Sequence, residues 1–272
     1  MKRTVFFISD GTGITAETLG HTLLTQFEDL EYREVALPFT DTVERAVAAI
    51  DQINQVAKEE NARPVVFITL IDPILRELIE QSNALVLDLF KAFMQPLAVE
   101  LGKGWAHVKG RSHGLVNKDS YDIRIEAISF ALSHDDGART SHYRDADVIL
   151  IGVSRTGKTP TCLYLAMQFG IRAANYPLTE EDLRRGGMPG WLRPFRARLY
   201  GLTINPDRLH RIRTVRYPNS TYASLYQCKK EVTDAEEVFQ TEGIPFLNTT
   251  LVSIEEIAVH VLQKMGLKRR MF

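Results

Sequence analysis

The stretch "VILIGVSRTGKTPTCLYLA" (residues 148–166) decides how this chain folds around its most distinctive chemistry. An apolar run leads into a loop with two glycines, and an apolar stripe of Leu163, Ala166 and Met167 follows at helical spacing. Gly170 is placed to end that helix, because glycine accepts the left-handed conformation of a helix C-terminus. The pattern predicts a buried strand, a tight loop and a helix.

The loop itself, residues 152–159, fits the pattern G-x-x-x-x-G-K-[ST] at every position. Glycines let backbone N–H groups turn inward around an anion, and the start of the next helix offers further unpaired N–H groups to it. The lysine adds a positive charge at the terminal phosphate, and the threonine hydroxyl can ligate Mg²⁺. We therefore predict a nucleotide-binding loop with Thr159 as metal ligand. Its residues are Gly152, Val153, Ser154, Arg155, Thr156, Gly157, Lys158 and Thr159.

One customary part of such a site is missing from the sequence, namely an apolar strand after the loop that ends in aspartate. The best later strand, "RLYGLTI" (198–204), continues into "NPD" (205–207) instead. The carboxylate that holds the metal or acts as base must therefore come from elsewhere. Asp135, Asp136 and Asp207 are the candidates.

Two of these candidates lie in "SHDDG" (133–137), ahead of the loop. A carboxylate there can orient and deprotonate a hydroxyl nucleophile or hold Mg²⁺, so Asp135 and Asp136 join Lys158 as predicted catalytic residues. The alternative is a solvated turn, since Asp-Gly is a common turn sequence. His113 in "RSHGL" is a further catalytic candidate, with a surface or structural histidine as the favoured alternative.

The first third of the chain alternates strand-like and helix-like segments. Strands are predicted at 5–8, 35–37, 63–70 and 84–90, with amphipathic helices between them. Such alternation predicts a parallel sheet covered on both faces, and thus an α/β fold. We expect an N-terminal Rossmann-like domain over 1–105 and a phosphate-loop domain over 106–272, divided within a polar, glycine-rich stretch.

Several finer features are also predicted from helix signals. The helix that begins near Val43 has a plausible N-cap at Thr40 or Asp41. A helix is expected over 124–134, and another over 253–266. The last of these begins with Ser253 and carries Glu256 three residues later, which is the pattern of a capping box.

The segment "SDGTGITAE" (9–17) resembles a dinucleotide-binding fingerprint, because Gly11 and Gly13 follow a strand and precede a helix. An acidic residue, Glu34, follows about twenty positions later, as that interpretation requires. The favoured alternative is an ordinary strand-to-helix turn of a parallel-sheet protein, with a phosphate or partner contact left open.

Composition limits the classes of function. The chain has 272 residues and a formal net charge of −1, which argues against broad nonspecific binding to nucleic acid or anionic lipid. The apolar run near the N-terminus is too short for a signal peptide or membrane span, so a soluble cytoplasmic protein is expected. Cys162 lies within an apolar stripe and is expected to be a buried thiol.

A dense group of arginines occupies residues 184–216, which contain nine arginines and a single acid, Asp207. Arginine suits bidentate contact with anions, so part of this group is expected to hold phosphate or an acidic partner surface. The alternative is a solvated, salt-bridged face.

The chain closely resembles the bacterial regulatory proteins of pyruvate, phosphate dikinase and phosphoenolpyruvate synthase. The resemblance runs nearly end to end and is most specific in "GVSRTGKTPT" and "YLAMQFGIRAANYPL". It also includes "FFISDGTGITAETLGH", "SHGL", "RIEAISFALSHDDG", "LYGLTINPDRL", "YASLYQC" and "SIEEIAVHVLQKMGL". Its motifs are most similar to those of the synthase-regulating branch, and the dikinase-regulating branch is nearly as similar.

This resemblance implies a bifunctional enzyme. Such proteins are serine/threonine kinases that use ADP as phosphoryl donor and inactivate their target on a threonine. They reverse the modification by phosphorolysis, in which inorganic phosphate releases pyrophosphate. The family's nucleotide loop corresponds to residues 152–159, so the second domain is expected to be a P-loop kinase/phosphorylase domain. Phosphoenolpyruvate synthase is the expected partner, ADP, phosphate and Mg²⁺ are the expected ligands, and a homodimer is the default assembly.

Two other classes of function remain open from the sequence. A phosphate-loop kinase could act on a metabolite, in which case the arginines would be buried in a closing lid. A nucleotide-sensing regulator could instead bind its target without chemistry. A protein kinase should present its arginines on a wide, exposed face.

Overall fold

The computed structural model describes residues 3–105, 118–184 and 187–270. The chain divides into two compact units, residues 1–113 and 114–272. The boundary predicted at residue 105 borders a segment outside the described residues, and its position stays a prediction. The predicted α/β class is confirmed, because each unit contains a four-stranded, wholly parallel sheet.

The first unit is built on a sheet in the order β2-β1-β3-β4. Each strand is followed by a helix, as the alternating sequence pattern predicts. The strands are β1 (Arg3–Ser9), β2 (Tyr32–Leu37), β3 (Val65–Thr69) and β4 (Leu85–Asp88). The helices are α1 (Ile14–Leu24), α2 (Val43–Glu59), α3 (Pro73–Glu80) and α4 (Lys91–Leu101).

Both faces of this first sheet are covered, as expected for a parallel sheet. Alternate residues of the central strand point to opposite faces: Phe6 packs with α2 and α3, and Phe7 packs with α1. Gly20 lets α1 approach closely, since a Cβ there would lie 2.5 Å from the Phe7 ring. The two inner strands, β1 and β3, are therefore almost continuously apolar and buried, whereas the edge strands β2 and β4 are partly exposed.

The second unit has the same relative strand order, β6-β5-β7-β8. Its central strand β5 carries the phosphate loop at its carboxyl end. The strands are β5 (Val148–Gly152), β6 (Ala173–Pro177), β7 (Leu199–Thr203) and β8 (Phe246–Asn248). The helices are α5 (Lys118–Ser133), α6 (Lys158–Phe169), α7 (Glu180–Arg184), α8 (Pro206–Arg216), α9 (Leu225–Thr241) and α10 (Ile254–Lys264).

Two apolar clusters sandwich this second sheet. One face packs against α8 and α9 through residues such as Leu209 and Phe239. The other packs against α5, α6 and α10, and Cys162 lies there as the predicted buried thiol. Because the central strand is covered on both sides, the loop at its end is held on a rigid base.

Most helix and strand predictions hold, with one correction and several omissions. The N-cap of α2 is Thr42 and not Thr40 or Asp41, because the Thr40 hydroxyl donates to the Leu37 carbonyl and Asp41 pairs with Arg45. The capping box of α10 is present as predicted. The strands β6 and β8 and the helices α4, α7, α8 and α9 were not predicted. No helix in the described part of the chain is long and apolar enough to cross a membrane.

Candidate active site

The phosphate loop (residues 152–159) has the backbone geometry that its glycines predict. Gly152 has φ of 153°, and a Cβ there would lie 2.2 Å from the Leu202 carbonyl oxygen of β7. Gly157, the N-cap of α6, has φ of 91° and offers no side-chain cap. The first N–H groups of α6 are therefore available to an anion. Arg155 at the loop tip also has a positive φ, of 78°.

Lys158 lies buried beneath this loop, with only 4% of its surface exposed. Its Nζ donates to the Val153 carbonyl oxygen over 2.9 Å. Burial lowers the pKa of Lys158 to about 8, although the carboxylates of Asp136 and Asp135 favour its charged form. A bound phosphate would provide this ammonium group with a negatively charged partner and would stabilise its charged form.

Both flanks of the loop are fastened by side chains from elsewhere in the second unit. On one flank, the Thr249 hydroxyl donates to the Thr156 carbonyl oxygen over 3.1 Å. On the other, the Tyr222 hydroxyl donates to Ser154 Oγ over 3.0 Å, and Arg213 donates to the Ser154 carbonyl oxygen over 3.2 Å. Held in this way, the loop needs little rearrangement to receive an anion.

A carboxylate reaches the loop from the chain that precedes it. Asp135 Oδ1 accepts a hydrogen bond from Thr159 Oγ1 over 2.7 Å. The same oxygen accepts one from Asn175 Nδ2 over 2.5 Å, and Asn175 Oδ1 accepts from the Asp136 backbone N–H over 3.1 Å. Asn175 is fully buried in β6. The amide of Asn175 thus fixes both aspartates beside the start of α6.

The local sequence explains this position. After α5 ends at Ser133, His134 is buried, stacks on Phe130 with ring centroids 4.0 Å apart, and joins the Phe130 carbonyl oxygen through Nδ1. A short 3₁₀ turn, Asp135–Gly137, follows, in which Asp136 has a left-handed φ of 47°. This turn lies against β6, and it supplies the carboxylate that a later aspartate-ended strand would supply elsewhere.

The residues near the loop suit Mg²⁺. Thr159 and Asp135 offer two oxygen atoms of the kind that Mg²⁺ prefers, and phosphate oxygens and water normally complete its shell. Among the described residues no group of three or more His, Cys, Asp and Glu side chains forms a complete protein cage. The donor set therefore fits a metal bound together with a phosphate ligand.

The structure brings together most of the predicted site residues. Lys158, Asp135 and Asp136 meet at the loop, whereas Asp207 lies exposed in the first turn of α8. His113 lies outside the described residues. Asn175, Tyr222 and Thr249 were not predicted, whereas Arg213 was included only as a member of the arginine-rich segment 184–216. Among the three residues that were not predicted, only Asn175 carried a signal, as a polar residue beside the apolar pair Ala173 and Ala174.

The arginine-rich segment 184–216 has mixed roles. Arg213 is buried and pairs with Glu231 over 2.7 Å. Arg198 donates to the Ala146 carbonyl oxygen, so it too is structural. In contrast, Arg208, Arg211 and Arg216 lie exposed on α8.

The glycine loop of the first unit lacks the features of a dinucleotide site. The Gly11 N–H donates to Ser9 Oγ over 3.1 Å, and Asp10 accepts from the Ile71 N–H over 3.0 Å. Glu34 lies within β2, not at its carboxyl end, and its Oε2 lies 3.4 Å from His21 Nε2. The acid that would contact a ribose is therefore misplaced.

Comparison with known proteins identifies the family. The family model described as kinase/pyrophosphorylase matches residues 5–262 of this chain. The chain belongs to the kinase/pyrophosphorylase family. A relative from Alkalilimnicola ehrlichii is 52% identical over all of this chain and 98% of its own length. Relatives from Legionella pneumophila and Stutzerimonas stutzeri are 53% and 51% identical, over 99–100% of this chain and 100% of theirs.

These three family members share one provisional name, phosphoenolpyruvate synthase regulatory protein. The match spans both units of this chain. The resemblance stated from the sequence motifs is thereby confirmed at the level of the family.

Proposed function

We propose that this kinase/pyrophosphorylase is an ADP-dependent serine/threonine kinase and a phosphate-dependent phosphorylase, and that phosphoenolpyruvate synthase is its target. The observation that carries the proposal is the hydrogen bond between Thr159 and Asp135, beside a phosphate loop that buries Lys158. This bond brings the Asp135 carboxylate to the loop that contains the Lys158 ammonium group, which supports a site for a phosphate and its metal ion. The names of the relatives support the choice of target.

In the forward direction, the hydroxyl oxygen of a target threonine attacks the β-phosphorus of ADP. A new oxygen–phosphorus bond forms, the bond from the β-phosphorus to the bridging oxygen breaks, and AMP leaves. The hydroxyl proton passes to a carboxylate, Asp135 or Asp136, which also orients the nucleophile. The products are phosphothreonine, AMP and a proton.

In the reverse direction, an oxygen of inorganic phosphate attacks the phosphorus of phosphothreonine. The new phosphorus–oxygen bond makes pyrophosphate, the bond between that phosphorus and the threonine oxygen breaks, and the threonine oxygen is the leaving group. The proton of hydrogen phosphate ends on the threonine hydroxyl, by way of the same carboxylate. One anion site can therefore serve both directions, since each places two linked phosphoryl groups in it.

The side chains around the loop have separate tasks. Lys158 and the N–H groups of the loop stabilise the charge on the transferring phosphoryl group. Thr159 and Asp135 would hold Mg²⁺, which supplies further neutralisation of phosphate charge when it is bound. Asn175 keeps the Asp135 carboxylate in place.

The exposure of the α8 arginines favours a protein target over a metabolite. Arg208, Arg211 and Arg216 lie on the surface, as a docking face for a protein requires. A closing lid would instead bury its arginines around a small molecule. The buried Arg213 is already paired with Glu231.

The test is incubation of the purified protein with ADP labelled at the β-phosphate, together with purified phosphoenolpyruvate synthase or pyruvate, phosphate dikinase. Label on a threonine of the synthase, and its release as pyrophosphate on addition of phosphate, is the expected result. Label on the dikinase alone would change the target. Label on a small molecule, or no transfer, would refute the proposed protein kinase.

A further inference from the structure

A cavity of about 320 Å³ opens directly against the tip of the phosphate loop. It lies within the second unit and is at the small end of the range for ligand pockets. Its wall combines the loop with residues that follow β6 and with side chains of α8, α9 and the turn between them. The lining residues that matter here are Ser154, Glu180, Arg213, Tyr222, Gln227 and Glu231.

The charges around this cavity are already neutralised in pairs. Arg213 donates to Glu231 Oε2 over 2.7 Å, and Gln227 Nε2 donates to Glu231 Oε1 over 2.9 Å. Glu180 pairs with Arg184. A further phosphate group in the cavity would meet no unpaired cation among these residues, and burying an unpaired charge is costly. A neutral hydroxyl group meets no such penalty.

The cavity wall and the loop tip form one hydrogen-bonded unit. The Tyr222 hydroxyl bonds to Ser154 Oγ, and its ring lies 4.0 Å from the Arg213 guanidinium carbon. Arg213 also donates to the carbonyl oxygens of Ser154 and Tyr222. Its Nε atom is buried and has no hydrogen-bond partner among the described residues. An incoming polar group therefore finds hydroxyl, amide and guanidinium groups at fixed positions.

We propose that this cavity is the acceptor subsite, which binds the threonine side chain of an extended protein segment beside the phosphate loop. This inference rests on the proposed kinase function. Tyr222 and Gln227 contact the threonine and its neighbouring backbone, and they direct the hydroxyl oxygen toward the β-phosphate of ADP.

The experiment compares Tyr222→Phe and Gln227→Ala with Gln240→Ala, a matched control. Gln240 is exposed near the far end of the same helix, α9. ADP binding is measured by calorimetry, and transfer of labelled phosphate is measured over a range of phosphoenolpyruvate synthase concentrations. We expect each cavity variant to raise KM for the synthase about tenfold, as loss of a buried polar contact does. The ADP Kd should stay within about twofold for Gln227→Ala. For Tyr222→Phe, which also loses the hydrogen bond to Ser154 Oγ, the ADP Kd should rise about threefold, less than KM rises.

The outcomes separate this inference from the proposed function. If the unmodified protein transfers no label from ADP to threonine, the kinase function itself fails. If it does, but both cavity variants match Gln240→Ala in KM, the acceptor subsite is refuted. A loss of ADP affinity equal to the loss of transfer would assign the cavity to the nucleotide and would also refute it. Should Gln227→Ala fail to fold, Tyr222→Phe decides alone, because it removes only a hydroxyl group.

Discussion

The two units of this protein have the same sheet order but different loops at the same position. In each, the first strand is central, ends in a glycine loop and leads into a helix. Ligands of open α/β sheets bind outside the carboxyl ends of the strands, where the strand order reverses. Both units therefore have a location where a ligand could bind, at the carboxyl end of the central strand.

Only the second loop has the chemistry to use that location. Both α1 and α6 begin at a glycine N-cap without a side-chain cap, so the helix starts do not distinguish the loops. Residues 152–159 differ in that they include a buried lysine. The first loop, residues 9–13, contains no lysine or arginine. Its Gly11 N–H already donates to Ser9 Oγ, and its Asp10 carboxylate already accepts from the Ile71 N–H. The comparison shows that a shared topology supplies a place, whereas the side chains decide whether an anion binds there.

The largest effect should come from Lys158→Ala. Loss of this cation from a water-poor site should reduce both kinase and phosphorolysis rates by about 10³-fold or more. Labelled-phosphate assays in each direction measure this. Gly11→Ala in the first loop is the control, and it should leave both rates unchanged. Kinase loss with phosphorolysis intact would show that the two reactions use separate sites.

Asp135→Asn should have the next largest effect. The amide can still occupy the position beside Thr159, but it cannot accept a proton or provide a negative charge. We expect a loss of about 10²–10³-fold in kcat with little change in ADP affinity in the absence of Mg²⁺. Steady-state kinetics and calorimetry measure the two quantities. Asp10→Asn, which changes a carboxylate of the first loop, should leave kcat unchanged. A loss of kcat equal to that of Asp135→Asn would contradict the contrast between the loops.

Gly152→Ala should affect stability more than Gly11→Ala. The new methyl group would lie 2.2 Å from a backbone oxygen of β7, whereas a Cβ at Gly11 would meet only Ser9 Oγ at 3.9 Å. We expect a loss of about 2–4 kcal/mol for the first change and less than about 1 kcal/mol for the second. Urea unfolding of both variants measures the difference. Similar values for the two would show that β7 moves easily to admit the methyl group.

The affinity for ADP should fall as the pH rises. Lys158 has a pKa of about 8 in the ligand-free protein, so above this pH it increasingly lacks the proton that bound phosphate requires. The ADP Kd should rise by up to about fivefold between pH 8 and pH 9, because the protonated fraction of Lys158 falls by that factor. Calorimetric titrations at several pH values measure it. Lys158→Met should bind weakly without this pH dependence, and retention of the dependence would assign it to another group.

The smallest effects should come from Thr69→Val and Thr161→Val, one in each unit. Both hydroxyl groups are buried and have no hydrogen-bond partner among the described residues. Removing an unpaired hydroxyl should leave stability unchanged or raise it by up to about 1 kcal/mol. Thermal unfolding of both variants tests this. A clear loss for Thr69→Val alone would reveal a polar contact at the carboxyl end of the first sheet.

Local features were predictable from the sequence, and long-range ones were not. The phosphate loop and the Ser253 cap depend on residues close together in the chain, so their patterns were readable. The bond from Asp135 to Asn175 joins positions forty residues apart and depends on the packing of β6. The hydrogen bond from Tyr222 to Ser154 joins residues sixty-eight positions apart. Neither pairing leaves a pattern in one sequence.

The order of the site residues along the chain bears on how such enzymes are found. Here the carboxylate bonded to Thr159 comes from residue 135, before the glycine loop, and not from a later strand. Searches that require an acidic strand end downstream of the lysine will pass over proteins with this arrangement. A collection of phosphate-binding enzymes assembled by that rule is therefore incomplete. It undercounts the separate arrangements in which a carboxylate is brought to the threonine of a phosphate loop.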